Sequence, residues 1–422
     1  MAVESDRSRA WGSRVLVAGI VTTAVVMGLA VVLVAVGRSG LPEPEPVDAL
    51  ATSRDACVTC HRQATPGIVH QYGHSTMASA GVACVDCHGA EDGTPGAVAH
   101  EGKFVLRQPT TAVCARCHPN EAAQFLQSRH GLPAWVAYAG SRELSAAQRA
   151  QYESIPEGRF APDTARNQIA RMEGEALTHF ACEPCHAIGR PAADGSVGDC
   201  TKCHQRHQFS LEQARKPETC NNCHIGPDHP QWEIYFESSH GIAYSTGGHR
   251  WDWSEKPGTL TVKDFPAPTC ALCHFSGFGG QGTTHDVGDR LTWYLFSPIS
   301  ERRPGWQDAR TRMQGVCREC HNAGFVERFY GNADAATESV NAFIRESDAI
   351  MDDLRTQGLL TDAPFDEPID FVHYETWHHY GRTAKFGVWM QGADYTQWHG
   401  AYEVLKGLAE LRAMASEKRA HR

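Results

Sequence analysis

Residues 182–230 read "CEPCHAIGRPAADGSVGDCTKCHQRHQFSLEQARKPETCNNCHIGPDHP", and this stretch decides the fold. Three C-x-x-C-H units fall inside it, at 182–186, 200–204 and 220–224. Two thiols three residues apart reach the two vinyl groups of one haem, and the histidine that follows turns onto the iron as axial ligand. Units this close leave little room for secondary structure between them, so the core here must be largely porphyrin.

Working outward, the same unit recurs at both ends. It stands at 57–61, 84–88 and 114–118 before the quoted stretch, and at 270–274 and 317–321 after it. The eight units are Cys57, Cys60 and His61; Cys84, Cys87 and His88; Cys114, Cys117 and His118; Cys182, Cys185 and His186; Cys200, Cys203 and His204; Cys220, Cys223 and His224; Cys270, Cys273 and His274; and Cys317, Cys320 and His321. They absorb all 16 cysteines. One such unit could be a redox pair or half a zinc site; eight without exception indicate eight covalent c-type haems. The uneven intervals argue against a simple tandem repeat. Chains this dense in haem are helix and loop with little sheet, so the expected class is mainly α.

The 422 residues carry a net charge of −10, from 49 acidic and 39 basic side chains, which argues against a nucleic-acid partner. Haem c is attached outside the energy-transducing membrane of bacteria, so an export signal is expected. Residues 15–36 contain no charge and follow Arg7, Arg9 and Arg14. That is long enough to span a bilayer, with residues 1–14 cytoplasmic and the bulk outside. A cleaved signal peptide is the other reading, but the cleavage site is poor. Residues 37–50, with "LPEPEPVD", read as a stiff linker. The expectation is a protein anchored to the periplasmic face of the inner membrane.

Residues 51–330 then form the octahaem domain, and 331–422 a haem-free helical region. Two amphipathic runs, 333–360 and 395–422, have apolar residues at helical spacing. The second places Tyr395, Trp398, Tyr402 and Leu405 on one face. They either organise an oligomer or cap the haem core; the pattern does not choose.

Of 23 histidines, eight are proximal ligands, leaving fifteen. An electron-transfer haem takes a second histidine, whereas a catalytic haem keeps an open sixth position. His74, His130 and His240 lie on short polar segments beside Gly or Ser. His207 follows a motif histidine by three residues. His100, His285 and His379 (or His373 or His378 in its place) complete seven distal candidates, one short of eight. An open iron would give the adjacent Asp228 and His229 a role as proton acceptors. Alternatively, Asp228 starts a turn between Pro227 and Pro230, and His229 ligates a haem.

The strings at 117–140 ("CHPNEAAQFLQSRHGLPAWVAYAG"), 182–244 and 284–303 ("THDVGDRLTWYLFSPISERR") resemble the octahaem hydroxylamine oxidoreductase family. The resemblance runs over roughly residues 50 to 420. It implies that the fourth haem, held by Cys182, Cys185 and His186, is catalytic. It implies that Asp228 and His229 are the distal acid–base pair and that Tyr294 matches a distal tyrosine. In oxidising members a neighbouring subunit's tyrosine is bonded to the catalytic porphyrin; Tyr395 is the match, with Tyr380 in reserve. Reducing members lack that tyrosine. The family is homotrimeric. The expected activity is oxidation of hydroxylamine to nitric oxide or nitrite, with electrons passing through seven bis-histidine haems to a cytochrome c or a quinone-linked cytochrome. Hydrazine oxidation, nitrite or hydroxylamine reduction, and a non-enzymatic electron conduit are the alternatives.

Overall fold

The computed structural model describes residues 21–23, 25–28, 48–156 and 162–421. Residues 53–422 form one unit. The C-x-x-C-H motifs build its local geometry. In the motifs at 114, 182, 200, 220 and 317 the histidine N–H donates to the carbonyl of the first cysteine, at 2.9–3.0 Å. That single helical turn brings two thiols three residues apart onto one face, the requirement for one porphyrin edge. Short polar caps start several of these turns: Asp55 accepts from the Cys57 and Val58 N–H groups, and Thr269 accepts from Leu272 N–H.

Among the described residues the only sheet has three short antiparallel strands, Gly89–Ala90, Ala97–His100 and Lys103–Leu106, with the last in the middle. It holds both kinds of ligand. His88 precedes its first strand and donates Nδ1–H to Leu106 O at 2.7 Å, while His100 ends its second strand.

After the last motif the chain is mostly helical. Asn322 caps the helix Ala323–Thr356 through Phe325 N–H. This helix runs across position 330/331, where composition alone divides the chain. It packs with Pro368–Tyr374, Arg382–Met390 and Tyr402–Ala420. Ile344, Met351, Leu354, Ile369, Val404, Leu408 and Leu411 are each at most 1% exposed in the seams between these helices. Trp398, Tyr402 and Leu405, the stripe picked out by spacing, instead face outward at 46–59% exposure. Two π-helical turns, Glu375–Gly381 and Gln397–Ala401, interrupt this region.

The expected membrane anchor requires correction. Most of 15–36 lies outside the described residues, and no described helix is long and apolar enough to cross a membrane. An uncharged run satisfies a hydropathy pattern, but a span also needs a continuous helix of about 20 residues.

Candidate haem sites and a distal pocket at the fourth motif

Two imidazoles bound through nitrogens about 2 Å from a shared metal have ring centroids roughly 6 Å apart. Five motif histidines face a second histidine at that separation. His61 faces His100 at 5.9 Å, His88 faces His207 at 6.1 Å, and His204 faces His285 at 6.3 Å. His224 faces His130 at 6.0 Å, and His321 faces His240 at 6.1 Å. Several also have Nδ1 engaged, which leaves Nε2 for iron. His61 bonds Thr65 Oγ1 (2.8 Å), His186 bonds Ala134 O (2.6 Å) and His224 bonds Gln231 Oε1 (3.2 Å). Thiol pairs on one face with imidazoles at bis-ligand spacing fit haem c. Each thiol pair and its histidine would hold one porphyrin.

A repeated corner sets two of the facing histidines. The helices Pro119–Gln127 and Gln231–Glu237 each end at a buried serine, Ser128 or Ser238, two residues before His130 or His240. Ser128 Oγ accepts from His130 N–H and Ser238 Oγ from Gly241 N–H, both at 3.1 Å. A Cβ on Gly241 would lie 1.9 Å from Tyr235 O. The glycine after the histidine is thus needed by the backbone corner itself.

The remaining distal candidates sit elsewhere. His74 lies 4.4 Å from the His70 ring with its Nδ1 on His70 O, and His379 lies 5.3 Å from His378. For His118, His186 and His274 no facing histidine ring stands at the bis-ligand separation among the described residues.

Thiol contacts order the motifs in space. Cys57 neighbours Cys84, and Cys87 neighbours Cys117. Cys114 lies beside Cys200, Cys185 beside Cys223, and Cys220 beside Cys270. Cys203 neighbours Cys220, and Cys273 neighbours Cys317. Motif six therefore touches motifs four, five and seven. From this junction one arm runs five, three, two, one, and another runs seven, eight.

The surroundings of His186 differ from those of the paired histidines. Asp228 and His229 both act electrostatically on it, and Asp228 acts on Cys185; His229 also acts on His224 of the motif it follows, ring to ring at 6.5 Å. His229 Nδ1 lies 2.6 Å from Asp228 Oδ2. Arg382 Nη1 and His378 Nε2 stand 3.9 and 4.0 Å from that same oxygen. Arg382 donates from Nη1 to His378 Nε2 (2.8 Å) and from Nε to Phe296 O (2.8 Å). Phe296 packs on His229 at 5.1 Å, and Tyr374 stacks on His378 at 4.3 Å. Burial would push the Asp228 carboxyl up, but the bond from His229 and the fields of His229, His378 and Arg382 hold it well below the usual carboxylate range. Burial, then the Arg382 charge, drives His378 far down, so it is neutral at pH 7. The pocket therefore holds a fixed anion, a fixed cation and two imidazoles.

Tyr294 is 3% exposed, with the Arg303 guanidinium 4.8 Å above its ring; Phe296 from the same segment meets His229. Tyr395 is half-buried, its ring 4.7 Å from His399, and Tyr380 packs on the helical core around Val340 and Ile344. Sequence reasoning passed over Arg382 and Tyr374 and left His378 an alternative. The signal was there: in "YETWHHYGR" Tyr374, His378 and Arg382 recur every fourth residue, one face of a helix. A π-helical turn over 375–381 aims that face, as such turns often do at functional sites.

Fold and site together define a multihaem c-type cytochrome. The family described as seven times multi-haem cytochrome CxxCH matches residues 80–368, and the chain belongs to it. A probable nitrite reductase-hydroxylamine oxidoreductase fusion protein from Kuenenia stuttgartiensis is 26% identical over 372 residues, covering 74% of this chain. The chain spans only 39% of that relative's length. Among solved structures, a hypothetical multiheme protein superposes with a TM-score of 0.76 at 21% identity, over 90% of this chain and 99% of that one. A reducing HAO-like protein complex from Kuenenia stuttgartiensis gives 0.64 at 21% identity, over 89% and 87%. These matches bear out the resemblance to hydroxylamine oxidoreductase-like multihaem proteins, and the last two share the fold.

Proposed function

We propose that the chain is an octahaem oxidoreductase that oxidises hydroxylamine at the fourth motif, with Asp228 and His229 as proton acceptors. The observation that supports this is the Asp228–His229 pair, bonded at 2.6 Å, both members of which act on His186, a motif histidine that no second histidine faces among the described residues. Hydroxylamine gives nitric oxide with loss of three protons and three electrons, or, with one water, nitrite with loss of five protons and four electrons. Bound haem supplies a metal for the substrate nitrogen and a one-electron acceptor.

The chain's residues handle the protons. With Nδ1–H donated to Asp228, His229 presents the Nε2 lone pair as base, and the carboxylate stabilises the imidazolium that forms. Phe296 packs against His229 and keeps water off that side. Arg382 holds both the Phe296 carbonyl and His378, fixing the pocket wall. Electrons leave through motif six to a c-type or quinone-linked cytochrome. A homotrimer with Tyr395 bonded to a neighbour's porphyrin is part of the same reading. The test is turnover by the haem-loaded protein with hydroxylamine, hydrazine and nitrite in parallel. Hydroxylamine-dependent reduction of cytochrome c is expected; its absence alongside rapid hydrazine oxidation or nitrite reduction overturns the assignment.

One observation favours a second reading, reduction of an anion such as nitrite. The Arg129 and Arg382 guanidiniums flank Phe296 at 4.9 and 5.5 Å beside the Asp228 carboxylate, a field suited to anions. Arg382→Gln separates the two. A fall of about a hundredfold in nitrite reduction, with hydroxylamine oxidation changed less than tenfold, marks the reductive reading.

A further inference from the structure

Arg290 is 2% exposed and serves no substrate pocket. Its Nη1 donates to the Leu272 and Cys273 carbonyls at 3.2 and 3.0 Å, and its Nη2 to Ser276 O and Gly282 O at 3.0 and 2.8 Å. The guanidinium thus caps the C-terminal end of the helix Cys270–His274, the seventh motif. Its neighbour Asp289 is paired with Arg312 at 3.1 Å, so the group as a whole stays positive.

A second feature of the same motif points the same way. His61, His88, His186 and His224 each engage Nδ1 with an oxygen acceptor, which raises the basicity of the ligand and favours ferric iron. The buried Nδ1 of His274 has no hydrogen-bond partner among the described residues.

We propose that Arg290 sets the potential of the haem at motif seven, making it the electron sink that draws charge from the junction at motif six toward motif eight. Reduction removes one positive charge from the iron, so a fixed cation nearby, together with a less basic ligand, favours the ferrous form. Each transfer moves one electron from the haem of motif six, which is oxidised, to that of motif seven, which is reduced. No proton moves, because Arg290 keeps its charge throughout. The inference rests on haem at motif seven and not on the substrate assigned to motif four.

The test is a potentiometric titration of the haem-loaded full chain, followed by visible and EPR spectra, for wild type, Arg290→Gln, Arg290→Lys and Asp289→Asn. In wild type one of the most easily reduced components is expected to belong to motif seven. Arg290→Gln should make that component harder to reduce, changing its oxidised-to-reduced ratio at fixed potential about tenfold, or ~59 mV for one electron. Arg290→Lys should restore it, and Asp289→Asn should move the same component the opposite way. Equal shifts in the Gln and Lys variants, or a moved component among the lowest in potential, overturn the proposal. Should Arg290→Gln fail to load haem, Asp289→Asn decides: an upward shift of one high-potential component supports the assignment, and no shift refutes it.

Discussion

Replacing Asp228 with Asn keeps the side chain's volume and removes its charge. As His229 takes a proton, its imidazolium loses a counter-charge across the 2.6 Å contact. A unit pair at about 4 Å and an effective dielectric near 20 is worth about 4 kcal/mol, roughly a thousandfold in rate. The carboxylate side chain is 27% exposed, so solvent screening trims that figure only in part. A second effect adds to it. The Asn amide can donate to His229 Nδ1, which drives the ring proton to Nε2 and removes the lone pair from the pocket. General-base catalysis contributes about a hundredfold to ten-thousandfold, so kcat for hydroxylamine should fall within that range while KM for this neutral substrate changes little. The assay is steady-state cytochrome c reduction at saturating hydroxylamine, with haem content matched to wild type by absorbance. A variant with a full haem complement and kcat within about threefold of wild type would refute the role of the pair.

Tyr395→Phe should convert a haem-stained band at trimer mass on a reducing, denaturing gel into one at monomer mass; monomer bands in both proteins would remove the oxidative cross-link from the reading. Gly189→Ala would put a Cβ 1.9 Å from Gly131 O, backbone against backbone beside both His130 and motif four. A cost of about 1–3 kcal/mol is expected, read as a lower melting temperature. Asp334 offers a pH test. Burial raises its carboxyl, but bonds from Arg310, Trp293 and Arg302 more than offset this and leave it below its ordinary value. As pH falls, the unfolded chain takes up that proton first, so the stabilisation is present above about pH 4 and is lost below it. Asp334→Asn should flatten the drop in melting temperature between pH 5 and pH 3, relative to wild type.

The haem-bearing class was legible because a covalent motif is local: five consecutive residues make one helical turn, and the attachment chemistry needs nothing further away. Helices in the C-terminal region were legible for a similar reason, since Val404, Leu408, Leu411 and Ala415 repeat at helical spacing and are buried. Which stripe faces the core was not, because Trp398, Tyr402 and Leu405 keep the same period and only the neighbouring helices distinguish the two. The expected membrane span finds no support in the described residues, none of whose helices is long and apolar enough to cross a membrane.

Within the site, "PDHP" by itself announced an acid and an imidazole at 228 and 229. That the pair reaches His186 of motif four, as well as His224 of the motif it follows, is tertiary, set where motifs four and six meet at Cys185 and Cys223. The partners His378 and Arg382 arrive from about 150 residues downstream on a helical face, and Phe296 comes from a third segment. Sequence therefore determined the cofactor and the residue types of the pocket, because short-range covalent and helical geometry dictates both. Tertiary structure decided which haem motifs they lie against, because packing the motif helices edge to edge, and burying the C-terminal helices against them, brings together groups that no local spacing relates.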